Sequence, residues 1–451
     1  MLSETLAPEP IVISLGCRLN LAESETIRAI NTGRALVVVN SCAVTNTAVA
    51  ETRAAIRKAR RAHPDAEIAV TGCAAQIDPT GFAAMPEVDR VIGNAEKLLP
   101  EAWASTAPVQ VQDIMAVRAT APHLAASFAD HVRAFVEVQN GCDHRCTFCA
   151  IPFGRGNSRS VPAGAVIDRI AALVDAGHRE VVLTGVDLTS YGPDLPGSPT
   201  LATLIERILR HVPKLERLRL SSLDSIEIDD RLFDLVTGEA RIMPHLHLSL
   251  QAGDDMILRR MKRRHTRADA VRIVERLKAR RPEIAIGADL IAGFPTETEA
   301  MFANTRALID DCDIVHAHIF PYSPRAGTPA ARMPQAAPEV RKARAAELRS
   351  AAADRRAGWL DALVGTSQQV LVERPGTRGH AGNFADVILP SPPVRPELVE
   401  GLPFFATGSR KKGSASTSSA QTGLVGQIID VVVTGVADGR LVAASVLERA
   451  A

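Results

Sequence analysis

Net charge is almost absent from this sequence: 52 Lys and Arg stand against 51 Asp and Glu over 451 residues. A polyanionic partner would find no field from the molecule as a whole, so any basic footprint must be local. Long hydrophobic runs are missing as well. Although 46% of the residues are hydrophobic, the apolar stretches are only strand-length, far short of the ~20 residues of a membrane helix. The first ten residues are acidic and lack the basic-then-apolar pattern of a secretory signal. These absences argue against membrane and secreted classes and lead us to expect a cytoplasmic protein. In a reducing compartment the seven cysteines suit metal-binding or structural roles better than disulfides. The length suggests about three domains.

What is present centres on Gly141-Cys142-Asp143-His144-Arg145-Cys146-Thr147-Phe148-Cys149, which places three cysteines in C-x3-C-x2-C spacing. Such a loop can direct three thiolates at one centre. Iron–sulfur clusters are normally held by four cysteines, so three would leave one iron open, as a catalytic site requires. Structural zinc fits less well, because it needs a fourth Cys or His at a typical distance and His144 lies inside the run. The loop resembles the signature of radical S-adenosylmethionine (SAM) enzymes, Phe148 included.

Upstream, short apolar runs at 11–15, 36–39 and 68–71 alternate with helical patterns at 22–30 and 49–62. This alternation predicts βαβ units and a parallel sheet. Each of the three runs leads into a cysteine: Cys17, Cys42 and Cys73. In a parallel sheet with right-handed crossovers the strand C-termini share one edge, where ligands bind. Three cysteines distant in sequence should therefore converge. The alternative is three small buried residues at strand–loop junctions. A fourth unit at 88–93 has no cysteine, so this count also stops at three.

Residues 105–130 are Ala-rich without clear periodicity and read as a linker. A second strand series follows at 135–139, 180–184, 217–221, 245–250, 284–292 and 317–321. Helical patterns separate these strands at 163–176, 201–211, 254–262, 268–280 and 298–312. Six βα units predict an incomplete barrel with its chemistry at the strand C-termini, where the three-cysteine loop lies. Other strand ends carry Gly185 and Asp187, Gln251, and Asp289 with Gly293, together a constellation suited to SAM. Two runs of cations end helices. One is Arg57-Lys58-Ala59-Arg60-Arg61; the other is Arg259-Arg260-Met261-Lys262-Arg263-Arg264-His265. Helix-dipole effects explain some C-terminal cations, but the second run exceeds that need and reads as a phosphate-contact surface. Cys312 reads as a core thiol. A helical stretch at 341–363 precedes strands at 368–373, 384–389, 426–434 and 440–447, which predict a small β-barrel of a kind often used for RNA. Residues 390–422, rich in Pro, Ser, Gly and Lys, read as a disordered and dispensable excursion.

Taken together, Leu15-Gly16-Cys17-Arg18-Leu19-Asn20, Asn40-Ser41-Cys42-Ala43-Val44-Thr45, Gly72-Cys73-Ala74-Ala75-Gln76, the Gln139 to Cys149 segment, Pro152-Phe153-Gly154-Arg155-Gly156 and Gly293-Phe294-Pro295-Thr296-Glu297-Thr298 resemble the methylthiotransferase branch of radical SAM enzymes. The resemblance implies an α/β fold. Its parts would be an N-terminal methylthiotransferase domain (9–115), an incomplete (β/α)6 radical SAM barrel (128–362) and a C-terminal TRAM β-barrel (364–448) interrupted at 390–422. It implies two [4Fe-4S] clusters, one on Cys142, Cys146 and Cys149 and one on Cys17, Cys42 and Cys73. SAM binding would involve Phe148, Gly185, Asp187, Ser222, Gln251, Asp289 and Gly293. RNA binding would involve Arg259, Arg260, Lys262, Arg263, Arg264 and His380. Val44-Thr45 after Cys42 and Val138-Gln139-Asn140-Gly141 before Cys142 look most like the enzymes acting on N6-threonylcarbamoyladenosine at tRNA position 37. Isopentenyladenosine in tRNA and a ribosomal-protein aspartate are the alternative substrates. The implied mechanism is SAM cleavage to a 5′-deoxyadenosyl radical, hydrogen abstraction from adenine C2, and sulfur transfer from the second cluster. Implied partners are the tRNA anticodon loop, a flavodoxin- or ferredoxin-like electron donor and a sulfur source, acting on a monomer. A non-catalytic iron–sulfur electron carrier is the rival class.

Overall fold

A computed structural model of the chain describes residues 9–118, 120, 131–390 and 424–445. Two compact units divide at Arg356 and Ala357.

The first unit begins with a five-stranded parallel sheet of β1 (Ile11–Ser14), β2 (Leu36–Ser41), β3 (Glu67–Gly72), β4 (Arg90–Ile92) and β5 (Val109–Gln110), in that order. Every residue of β2 is buried, as expected of a parallel strand covered on both faces. The crossover helices are Arg18–Ile30 and Asn46–Ala62. The hydroxyl of Thr45 accepts from the Ala48 N–H and caps the second. Strand β5 corrects the linker reading of 105–130. Val109 pairs with Val91 of β4, and Ile114 is buried in a short 3-10 turn. A two-residue edge strand has no periodicity by which sequence could reveal it. Residue 119 and residues 121–130 lie outside the described set.

The same unit continues with β6 (Arg133–Glu137), the small hairpin β7 (Gln139–Asn140) and β8 (Arg159–Ser160), and then β9 (Glu180–Thr184) and β10 (Arg217–Leu220). It finishes with β11 (Ser222–Leu223), β12 (His245–Gln251), β13 (Ala285–Ala292) and β14 (Ile314–Pro321). These form parallel sheets β10-β9-β6 and β11-β12-β13-β14, so the third barrel strand is broken at Ser221. The incomplete parallel barrel expected from the six βα units is present. Residues alternate across β12: Leu246, Leu248 and Leu250 join the apolar core, whereas His245 meets His316 edge-to-face and His247 lies against His318, both partners on β14. The helix Leu201–His211 shows why the outer layer adheres, burying Leu201, Ala202, Leu204, Ile205, Ile208 and Leu209 along one face. Near the strand starts, buried Glu180 meets Arg219 at 2.7 Å. Burial opposes ionisation of Glu180, but Arg219 outweighs it and brings the pKa down to about 2.

The second unit closes β15 (Ser367–Glu373), β16 (Arg378–Ala381), β17 (Asp386–Ile388), β18 (Ile428–Ala437) and β19 (Arg440–Ser445) into a barrel. Val370, Val372, Val387, Val431, Val433 and Leu441 fill it. The small β-barrel is as expected, with β16 an additional strand. The expectation for 390–422 falls, Pro390 apart, outside the described residues.

Candidate active site

Cys142, Cys146 and Cys149 lie on the loop between β7 and β8, all half-buried. Gln139 braces it. Its Nε2 donates to the Gly141 carbonyl at 2.8 Å and to Ser158 Oγ at 2.9 Å, and its Oε1 accepts from the N–H groups of Val186 and Asp187 at 3.0 and 2.8 Å. One amide thus fixes the cysteine loop to the C-terminal end of β9. The far side is fixed through Thr147, whose N–H donates to the Met261 carbonyl and whose hydroxyl donates to the Arg260 carbonyl. Phe148 packs edge-to-face on Phe294, with ring centroids 6.5 Å apart. Burial pushes the Cys142 and Cys149 thiols up to about 12. Such thiols stay protonated unless a cationic centre takes them as thiolates.

Cys17, Cys42 and Cys73 leave the C-terminal ends of β1, β2 and β3, as the parallel-sheet argument requires. Two short polar side chains lace these ends together. Asn20 Nδ2 donates to the carbonyls of Leu15 and Ser41 at 2.7 and 2.9 Å, and Ser41 Oγ accepts from the N–H groups of Ala74 and Ala75. Gly16 has φ +103°, and a Cβ there would lie 2.9 Å from Cys42 Sγ. Only glycine combines that backbone with so close a sulfur. Burial, with the neighbouring Cys73 and Cys17 thiols acting the same way, pushes Cys42 up to about 11.

The two triads meet through the segment just after Cys149. Its short helix Ile151–Arg155 packs on the helix Cys73–Ile77, close enough that a Cβ on Gly154 would meet Cys73 Cβ at 3.0 Å. Arg155 Nε donates to Cys73 Sγ at 3.2 Å, and Asn94 Nδ2 donates to the same sulfur at 3.6 Å. Arg155 also pairs with Glu23 at 2.5 Å, and Lys97 pairs with Glu23 at 2.6 Å. Burial raises the pKa of Glu23, but the two cations outweigh that and hold its carboxyl well below the usual range.

The remaining residues singled out from the sequence divide into groups. Asp187 faces the cysteine loop, where its carboxylate pairs with His144 at 2.8 Å and accepts from Thr189 and Ser190. Gly185 abuts Gln139. Ser222 sits beside His247 in the β11–β12 pairing. Gln251, at the end of β12, has φ +69°, an uncommon conformation for a non-glycine residue. Gly293 lies against Arg341, and its N–H donates to Glu297. Asp289 accepts from His247 Nε2 at 3.0 Å and His318 Nδ1 at 3.1 Å, an arrangement that sequence reasoning missed because its members come from three strands. In the basic run, Arg259 and Lys262 are exposed, but Arg263 turns inward to Asp224 at 3.1 Å, with Nη1 3.9 Å from Cys146 Sγ. Arg264 is held by Asp224 and Glu227, and Arg260 donates to the Thr296 carbonyl. His380, in the other unit, stacks on Phe384 between Glu373 and Asp386. Cys312 is fully buried in the outer core of the barrel.

The donor sets fit iron–sulfur clusters. Among the described residues, metal-capable side chains with ligand atoms all within 4.8 Å of one another occur at His247, Asp289 and His318 and at His144, Asp224 and Glu227; neither group is a cysteine triad. With Cys312 in the outer core, each triad has three protein thiols and no fourth. That is the donor set of a multi-iron core with one iron free for a ligand.

An incomplete parallel barrel with a three-cysteine loop after its first strand defines a radical SAM enzyme. Residues 136–309 match the Radical SAM superfamily, and residues 10–93 match Uncharacterized protein family UPF0004. In fold the chain is similar to the radical S-adenosylmethionine methyltransferase TsrM from Kitasatospora setae. The TM-score is 0.50 and the identity 18%, covering 66% of this chain and 64% of that one. The threonylcarbamoyladenosine tRNA methylthiotransferase MtaB of Rickettsia prowazekii is 50% identical over 382 residues, 84% of this chain and 90% of the relative. Its counterpart in Bacillus subtilis is 37% identical over 337 residues, 71% and 74% of the two chains. The chain belongs to the threonylcarbamoyladenosine tRNA methylthiotransferases, the branch that its motifs resemble. No helix among the described residues is long and apolar enough to cross a membrane.

Proposed function

We propose that this radical SAM enzyme adds a methylthio group to C2 of N6-threonylcarbamoyladenosine at position 37 of tRNA, using two [4Fe-4S] clusters. The observation that carries the reading is the pairing of two cysteine triads, one on the barrel's loop and one on the neighbouring sheet edge, joined by Arg155. A cluster on Cys142, Cys146 and Cys149 would supply reductive cleavage of SAM, and one on Cys17, Cys42 and Cys73 would carry the sulfur to be transferred.

The protein's own part is placement and exclusion of water. Gln139 and Thr147 hold the cysteine loop against the strand ends, where SAM would lie among Phe148, Gly185, Asp187, Ser222, Gln251, Asp289 and Gly293. The His247–Asp289–His318 group offers a polar wall for a base entering the barrel. A nucleotide in a single-stranded anticodon loop can be splayed into such a pocket at little cost. Exposed Arg259 and Lys262 would contact phosphates. The β-barrel unit, a TRAM domain in this reading, would hold the RNA through the His380–Phe384 face. A flavodoxin- or ferredoxin-like donor and a sulfur source would complete the cycle in the cytoplasm.

Nucleoside mass spectrometry of tRNA from a strain lacking the gene tests the substrate. The methylthiolated form of N6-threonylcarbamoyladenosine should vanish and return on complementation. Loss of methylthiolated isopentenyladenosine instead would overturn the assignment.

A further inference from the structure

We infer that Arg155 is a positioning residue for the cluster on Cys17, Cys42 and Cys73, setting its charge environment and hence how readily it is reduced. The inference rests on the two-cluster reading above. Arg155 is only 2% exposed and is tightly oriented. One Nη donates to Glu23 Oε1 at 2.5 Å, and the other donates to Glu23 Oε2 at 3.0 Å and Asn20 Oδ1 at 2.5 Å. That fork leaves Nε to point at Cys73 Sγ, 3.2 Å away. A structural ion pair would need only Glu23 and one cation. Here the side chain of Lys97, itself 0% exposed, occupies the other side of the same carboxylate.

The buried guanidinium of Arg155 therefore lies between the Glu23 carboxylate and the Cys73 sulfur. A cation buried this deeply is costly unless its N–H groups meet acceptors and negative charge, and a thiolate at Cys73 on an iron–sulfur core would complete that set. Hydrogen bonds to the sulfurs and the charge around a cluster set its reduction potential. An N–H donor and a positive charge at Cys73 both favour the reduced, more negative form. Because Arg155 follows Cys149 by six residues, the loop holding one triad also delivers the residue that tunes the other.

The test uses the full-length chain with Cys142, Cys146 and Cys149 replaced by Ala, so that the remaining cluster is observed alone after anaerobic reconstitution. Iron and sulfide content and a redox titration followed by electron paramagnetic resonance are measured with and without a change at Arg155. Arg155→Met should retain the cluster but shift its reduction equilibrium about tenfold toward the oxidised form, a midpoint lower by about 59 mV for one electron. Arg155→Lys keeps the charge but loses the planar fork, and should shift the same way by less. Glu23→Gln removes the anion and should shift it oppositely. Unchanged midpoints in both Arg155 variants would overturn the inference; if the Met variant loses its iron, the Lys variant decides by the same criterion. If the parent with the intact Cys17, Cys42 and Cys73 triad binds no iron, the two-cluster reading itself fails, and the inference with it.

Discussion

The two cysteine triads differ in what keeps them together. Cys142, Cys146 and Cys149 share one short loop, and chain connectivity alone keeps them near one another. Cys17, Cys42 and Cys73 come from three strands, and their meeting depends on β1, β2 and β3 being parallel, in register and tied at their ends by Asn20 and Ser41. A local site withstands some disturbance of the surrounding fold, whereas a dispersed one fails with it. The distribution suits the proposed roles. The loop triad sits at the strand C-terminal ends, where SAM and substrate would enter in the proposed reaction, and the dispersed triad sits over a buried network of Glu23, Lys97 and Arg155.

The sharpest way to break this comparison is to remove one sulfur from each triad. Cys146→Ala should abolish 5′-deoxyadenosine formation, because reductive cleavage needs an open iron beside the sulfonium of SAM. Cys42→Ala should still cleave SAM but leave the adenine without its methylthio group. Both products can be assayed with hypomodified tRNA. A Cys42→Ala enzyme that methylthiolates normally would end the two-cluster mechanism. One that remains folded, keeps its other cluster and no longer cleaves SAM would show that the roles are not separable.

A smaller perturbation separates the triads by architecture. Gly16→Ala places a Cβ 2.7 Å from Cys42 Cβ at φ +103°, and residues held in that region cost on the order of 1–3 kcal/mol. Protein-bound iron should fall to about half after reconstitution, matching what triple alanine substitution of Cys17, Cys42 and Cys73 gives, while 5′-deoxyadenosine formation persists. Full iron content in the Gly16→Ala protein would mean that the dispersed triad adapts as easily as the loop.

The same contrast explains how far sequence carried the reading. The loop triad is visible as spacing, and the dispersed triad becomes visible once strand ends are counted along a parallel sheet edge. Glu23, Lys97, Asn94 and Arg155 were not foreseen as a network, because they are brought together only by tertiary packing: Arg155 and Glu23 are 132 residues apart. Arg263 shows the opposite difficulty. A run of cations shows that charge is concentrated but not which side chains turn inward, and Asp224, which draws Arg263 toward Cys146, lies on a different strand connection. His247, Asp289 and His318 belong to three strands whose register no local pattern reports.

Arg263 also gives a finer test, because its neighbours in the same run remain exposed. The double change Arg259→Ser with Lys262→Ser should weaken tRNA binding by about tenfold and lower the salt slope of binding by about 1–2, since each phosphate contact contributes roughly 0.7–0.9. Arg263→Gln should leave that slope unchanged and act on the loop triad, lowering its iron retention during anaerobic gel filtration. A salt slope lowered equally by all these changes would mean that Arg263 reaches RNA despite its bond to Asp224.

The smallest effect is expected from a change that touches neither triad. Removing 390–422 and joining Leu389 to Gly423 takes out a stretch rich in Pro, Ser, Gly and Lys, a composition poor in the periodic apolar pattern of packed elements. The barrel strands on either side, β17 and β18, are retained, with their partners in β15, β16 and β19. Shortening the connection lowers its closure entropy by under about 2 kcal/mol, in favour of the shortened chain. Iron content, SAM cleavage and methylthiolation should therefore equal those of the parent, with the thermal midpoint unchanged or slightly raised. If tRNA affinity drops while iron content and SAM cleavage hold, the stretch belongs to RNA binding and stands apart from both triads. If iron is lost from either triad, the second unit supports the first in a way that the comparison of the two triads omits.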